Sequence, residues 1–159
     1  MTNDDNEHSA DINIEVPAGR LTFTGYPAKI LVEASATAVQ SLSTATELAS
    51  STGYDEIATT GHALKGSLQS IFNITDSNVT IYQIENVNIN QETIIEIQNQ
   101  INDYTTTLEA NNVPFFDCKD AYDQCMSGAT DALQRLHCRV LYSGCLGDRA
   151  TSTIKSFIK

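Results

Sequence analysis

The clearest pattern in the chain is helical. Ile94, Ile97, Ile101, Tyr104 and Leu108 recur at alternating three- and four-residue intervals, with Glu96, Asn99, Gln100, Asn102 and Asp103 on the remaining faces. That spacing predicts an amphipathic helix, with Asn90 as its cap and Glu92 in its first turn. Leu31, Ala34, Ala38, Leu42, Ala45 and Leu48 also line one face of a predicted helix, which opens with Pro27 in its first turn and ends near Ser50. After the break at Ser51, Thr52 and Gly53, a further helix is expected from Asp55 to Phe72, with Ile57, Gly61, Leu64, Leu68 and Ile71 on one side. Glycines such as Gly61 and Gly66 lower helix propensity, and in a helix they commonly admit a close neighbour.

Two stretches alternate instead with a period of two. Ile12, Ile14 and Val16 lead through Pro17 and Gly19 into Leu21 to Thr24, which reads as a short hairpin. Val79 to Ile89 reads as a strand able to join it. Together they predict an α+β fold, predominantly helical, with a small antiparallel sheet. Residues 1–11 are polar and acidic and are expected to form a disordered tail; 12–159 are expected to form a single domain. Asn111 to Pro114 end the third helix, Phe115 and Phe116 supply an apolar anchor, and a last helical region is expected from about Asp117. Gly147 and Asp148 are expected to interrupt it, leaving Ile154 and Phe157 to dock a short final turn.

Four cysteines then dominate the picture. Cys118, Cys125, Cys138 and Cys145 read C-x6-C, x12, C-x6-C. Seven residues make just under two helical turns, so each pair projects from one face with its members about 10 Å apart along the axis. That is too far for a disulfide within a pair. Folding the chain back near Gly128 brings the two faces together as a helical hairpin over 117–147. The rungs of such a hairpin are Cys118–Cys145 outside and Cys125–Cys138 inside. The other readings of the same residues are a four-thiolate metal site, for which the intervals are long, and free buried thiols acting as small apolar fillers.

Composition narrows function by exclusion. The 159-residue chain has a net charge of -11 and no tryptophan. Residues 1–117 carry three basic groups against sixteen acidic ones, whereas 118–159 carry six basic and four acidic. So acidic a surface repels phosphate backbones, and no nucleic-acid partner is expected. No run of apolar residues reaches membrane-spanning length, so no transmembrane insertion is expected. Arg135, Arg139, Arg149, Lys155 and Lys159 are candidates for a weak basic face. The N-terminus lacks the basic-then-apolar order of a secretory signal. Disulfides would place the chain outside the cell or at its surface; free thiols would place it in the cytoplasm.

No cofactor, metal or catalytic motif is present: there is no glycine-rich phosphate loop, no HExxH and no GxSxG. The sequons Asn73-Ile74-Thr75 and Asn78-Val79-Thr80 match the glycosylation pattern, which arises readily in a chain rich in Asn and Thr. The leading expectation is a non-enzymatic structural or protein-interaction module, self-assembling or exported. Its partner is a protein, with a second copy among the candidates and Ala34, Ala38 and Ala45 as a self-association face. The alternatives are a thiol-dependent enzyme using Cys138, Cys125, His137 or His62, a secreted effector or toxin-like protein, and a cysteine-based metal-binding protein.

Overall fold

Every periodic apolar stripe that the structure describes is realised as a helix. The computed structural model describes residues 25–72, 74, 89 and 91–158. Among them run α1 (Gly25–Ser51), α2 (Asp55–Phe72), α3 (Gln91–Ala110), α4 (Phe116–Gly128) and α5 (Ala132–Ile158). Asp55 and Glu56 lie in the first turn of α2, Glu92 in that of α3 and Asp117 in that of α4, where carboxylates meet the positive end of the helix dipole.

The ends of α1 and α3 follow from local chemistry. Gly53 takes a φ of 90° after α1, and the Tyr54 amide donates to the Ala49 carbonyl at 2.8 Å. Asn112 plays the same part after α3 with a φ of 61°, as the Val113 amide donates to Leu108 and the Asn112 amide to Glu109. Both closures use the left-handed residue to turn the last carbonyls back onto the chain. Between α4 and α5 the reversal is made differently. The Asp131 carboxylate accepts from the Gln134 amide at 2.9 Å, and the Gln134 side chain accepts from the Thr130 amide at 2.7 Å. That reciprocal cap starts α5.

The expected α+β fold is overturned: among the described residues there are five helices and no strand or sheet. Packing supplies the reason. One face of α1 lies against α2 and another against α5, while α2 packs on α3 and α3 reaches α5. The apolar stripes of the described helices are therefore paired with one another. The hairpin of 12–24, the strand of 79–89 apart from Ile89, the tail of 1–11 and both sequons apart from Ile74 lie outside the described residues. Period-two alternation over three to five residues is a short signal, and it decided too much.

The core is one cluster in which Leu42, Ala45, Leu64, Leu68, Ile97, Tyr104, Leu108, Val140, Leu146 and Ile154 are wholly buried. Ile74 and Ile89 also join it. Helices α1 and α5 run parallel and unusually close. A Cβ built on Gly144 would stand 3.3 Å from the Ala38 Cα, and one on Gly147 would stand 3.0 Å from the Ser41 carbonyl carbon and oxygen. The expected interruption at Gly147 is absent, and α5 continues to Ile158. Gly147 is there because a neighbouring backbone occupies the space of a side chain. The two buried serines of this interface are satisfied locally: Ser35 donates to the Leu31 carbonyl at 2.8 Å and Ser143 to the Arg139 carbonyl at 2.9 Å. That is how serines of modest helix propensity come to be fully buried.

Candidate functional site

The four cysteines lie on facing stripes of α4 and α5, and all four are oxidised. Cys118 bonds to Cys145 and Cys125 to Cys138, each with a Cα–Cα distance of 5.7 Å, across 27 and 13 positions of sequence. Between the two bonds sits a third rung. Tyr122, one turn past Cys118, stacks on Tyr142, one turn past Cys138, with ring centroids 4.4 Å apart and planes 13° from parallel. The Arg149–Asp117 ion pair at 3.7 Å closes the open end of the hairpin. The tyrosine rung was absent from the sequence reading, although its signal was there: each tyrosine falls three or four residues from both cysteines of its helix.

This rung has a chemical signature. Burial first, and then the neighbouring Tyr122, Asp123 and Glu109, together raise the Tyr142 phenol to about 12. Burial alone raises Tyr104 further still. The unfolded chain releases such protons near 10, so the folded state holds the Tyr142 proton where the unfolded state does not. The associated stability is intact below pH 10 and is lost as pH rises through about 12. A spectrophotometric titration of the tyrosines should therefore show a late component above the ordinary range. A Tyr142→Phe variant should lose part of it. A titration complete by pH 10.5 in folded protein would contradict this.

No family model matches this chain, and comparison with curated proteins and with solved structures finds no similar one. The chemistry must therefore be read from the residues. No cysteine is free, so the thiolates that a nucleophile or a metal tetrad would need are committed to disulfides. Among the described residues, no three His, Cys, Asp or Glu side chains converge as metal ligands. His137 is half-buried, which lowers its pKa, and its neighbour Cys138 is bonded to Cys125. His62 lines a separate groove between α2 and α3 with Ser67, Ser70 and Glu96.

The remaining candidate residues are placed just as specifically. Ala38 and Ala45 are buried inside the chain, and Ala34 is half-buried against the same core. At Ala38 the close approach that a small side chain permits is taken by Gly144 of α5. Arg139 and Arg149 are engaged within the chain. Arg139 is 0 % exposed and donates from Nε to the Gln98 side-chain oxygen at 3.0 Å, linking α5 to α3. Arg149 pairs with Asp117, and Lys155 lines a groove of about 660 Å³ between α1 and α5 with Glu47 and Asp148. Lys159 lies outside the described residues.

What the hairpin presents outward is the other face of α4. Cys118 is the only fully buried residue of this helix. Phe116 stands 81 % exposed at its start, and Lys119, Asp120 and Asp123 are exposed beyond it. Lys119 pairs with Asp123 at 2.9 Å, and Gln124 donates to Asp120 at 3.2 Å. A large aromatic is thus held on a braced helix beside a charged, hydrogen-bonded surround. No helix among the described residues is long and apolar enough to cross a membrane.

Proposed function

We propose that this chain is a non-enzymatic, disulfide-braced helical module that works in an oxidising setting and engages other proteins through the outer face of α4. Phe116 carries the reading. A phenylalanine left four-fifths in water at the start of a cross-linked helix has no role in the core. Aromatic anchors with polar surrounds are the residues that dominate protein interfaces. The disulfides favour an oxidising compartment, because cellular thiols keep cytosolic cysteines reduced. Exported structural proteins and exported effectors share this description.

The test is photo-crosslinking from position 116 in the organism that makes the chain, with the same probe at Leu141 and Glu92 as controls. A discrete protein adduct from position 116 alone is the expected result, and an adduct with the chain itself would identify a second copy as the partner. Equal labelling from all three positions, or none from any, would overturn the reading.

A further inference from the structure

We infer that α4 is a displaceable cover on α5: a dithiol reductant that opens both disulfides frees this helix while α1, α2, α3 and α5 stay packed. The inference rests on the disulfide-braced module described above and adds a second state to it.

The packing is divided unevenly. Among the described helices, α4 touches α5 alone, whereas α5 also packs on α1, α2 and α3. The main cluster draws on Leu42, Leu64, Ile97, Leu146 and their neighbours, and α4 itself contributes one fully buried residue, Cys118. That residue is also a disulfide partner. Besides the two covalent bonds, α4 is held by the Tyr122–Tyr142 stack, by half-buried Tyr122 packed against the core and by the Arg149–Asp117 pair. The side chains of that pair are 41 % and 65 % exposed, so water and salt screen it. A 13-residue helix is marginal in water without a packed face. Anchors stand on both sides of it, at buried Val113 and at Ala132 in the first turn of α5, so a freed α4 remains a tethered flap.

The chemistry balances without any group from the protein beyond its cystines. Each disulfide takes two electrons and two protons from one dithiol and becomes two thiols, while the dithiol closes to its own disulfide. Cys125 and Cys145 are only partly buried, which gives an attacking thiolate one approachable sulfur on each bond. Displacement then uncovers Cys138, Tyr142 and Cys145 beside Leu141, which is already exposed. These four positions follow the i, i+3, i+4, i+7 stripe of a single helix face.

The experiment treats the full folded chain with dithiothreitol under native conditions, counts thiols by intact mass and follows amide hydrogen exchange. Two disulfides in the untreated protein are the precondition, and their absence would remove both the braced module and its release. After reduction to four thiols, amides of 116–128 should exchange at least tenfold faster, with those of 31–49, 57–72 and 94–108 unchanged. Tyr122→Ala should speed exchange in 116–128 further in the reduced chain and leave the other helices as they were. Three results would each overturn the inference: disulfides that resist reduction in the folded chain, a reduced α4 as protected as before, or loss of protection in all helices together.

Discussion

Gly147→Val should destabilise the protein by roughly 3 kcal/mol or more, near the upper end of overpacking substitutions. The atoms in the way belong to the main chain. A Cβ at this position would meet the Ser41 carbonyl carbon and oxygen at 3.0 Å and the Leu42 nitrogen at 3.1 Å. No side-chain rotation relieves such contacts, so α1 and α5 must move apart along an interface that spans both helices. Gly66, also within a helix, has nothing within 4 Å of its would-be Cβ. Gly66→Ala should therefore raise stability by about 0.5–1 kcal/mol through reduced backbone entropy of the unfolded chain. Reversible denaturation of the two variants checks the pair. A neutral Gly147→Val would mean that the two backbones are not in contact.

Removing the outer disulfide by Cys118→Ser with Cys145→Ser should lower stability by about 3 kcal/mol, on the chain-entropy account of a closed loop. The bond joins residues 27 positions apart, and the inner bond joins residues 13 apart inside that loop. The loops are nested and each bond shortens the loop that the other closes, so removing both bonds should cost more than the sum of the two single removals. Urea denaturation of the three variants measures that excess directly. Strictly additive losses would show that the staples act through native contacts and not through the unfolded chain.

The two ends of α2 were legible in the sequence to the residue, because an apolar stripe there coincides with an acidic first turn and a glycine just before it. The disulfide pairing was legible as well. Two cysteines seven apart on each of two antiparallel helices can bond in only one nested way without crossing helical levels. The fold class was not. Short alternations such as Ile12, Ile14 and Val16 carry period two over too few repeats to set a fold class against the long helical stripes. Gly147 misled for a related reason: a glycine that ends a helix and one that admits a neighbouring backbone look alike until the neighbour is known. Asp131-Ala132-Leu133-Gln134 is helix-favouring and lies at the centre of the segment between the two cysteine pairs. It is in fact the start of α5, where an acidic cap and a glutamine three residues later hold the first turn. The role of the alanines was half legible. Their small size does admit a close backbone, but at Ala38 that backbone belongs to the same chain.

The parallel seating of α1 on α5 also sets the order in which the molecule can assemble. Contacts such as Ala38 with Gly144 join positions roughly a hundred residues apart, and such pairings form late because the intervening loop must close first. During synthesis α1 leaves the ribosome long before its partner exists, so its apolar stripe can reach only α2, on which α3 then packs. The α4–α5 hairpin, local in sequence, can form on its own schedule as α5 emerges. Closure of the core therefore waits for α5, and until it has emerged the nascent chain carries an open hydrophobic flank for a chaperone to guard.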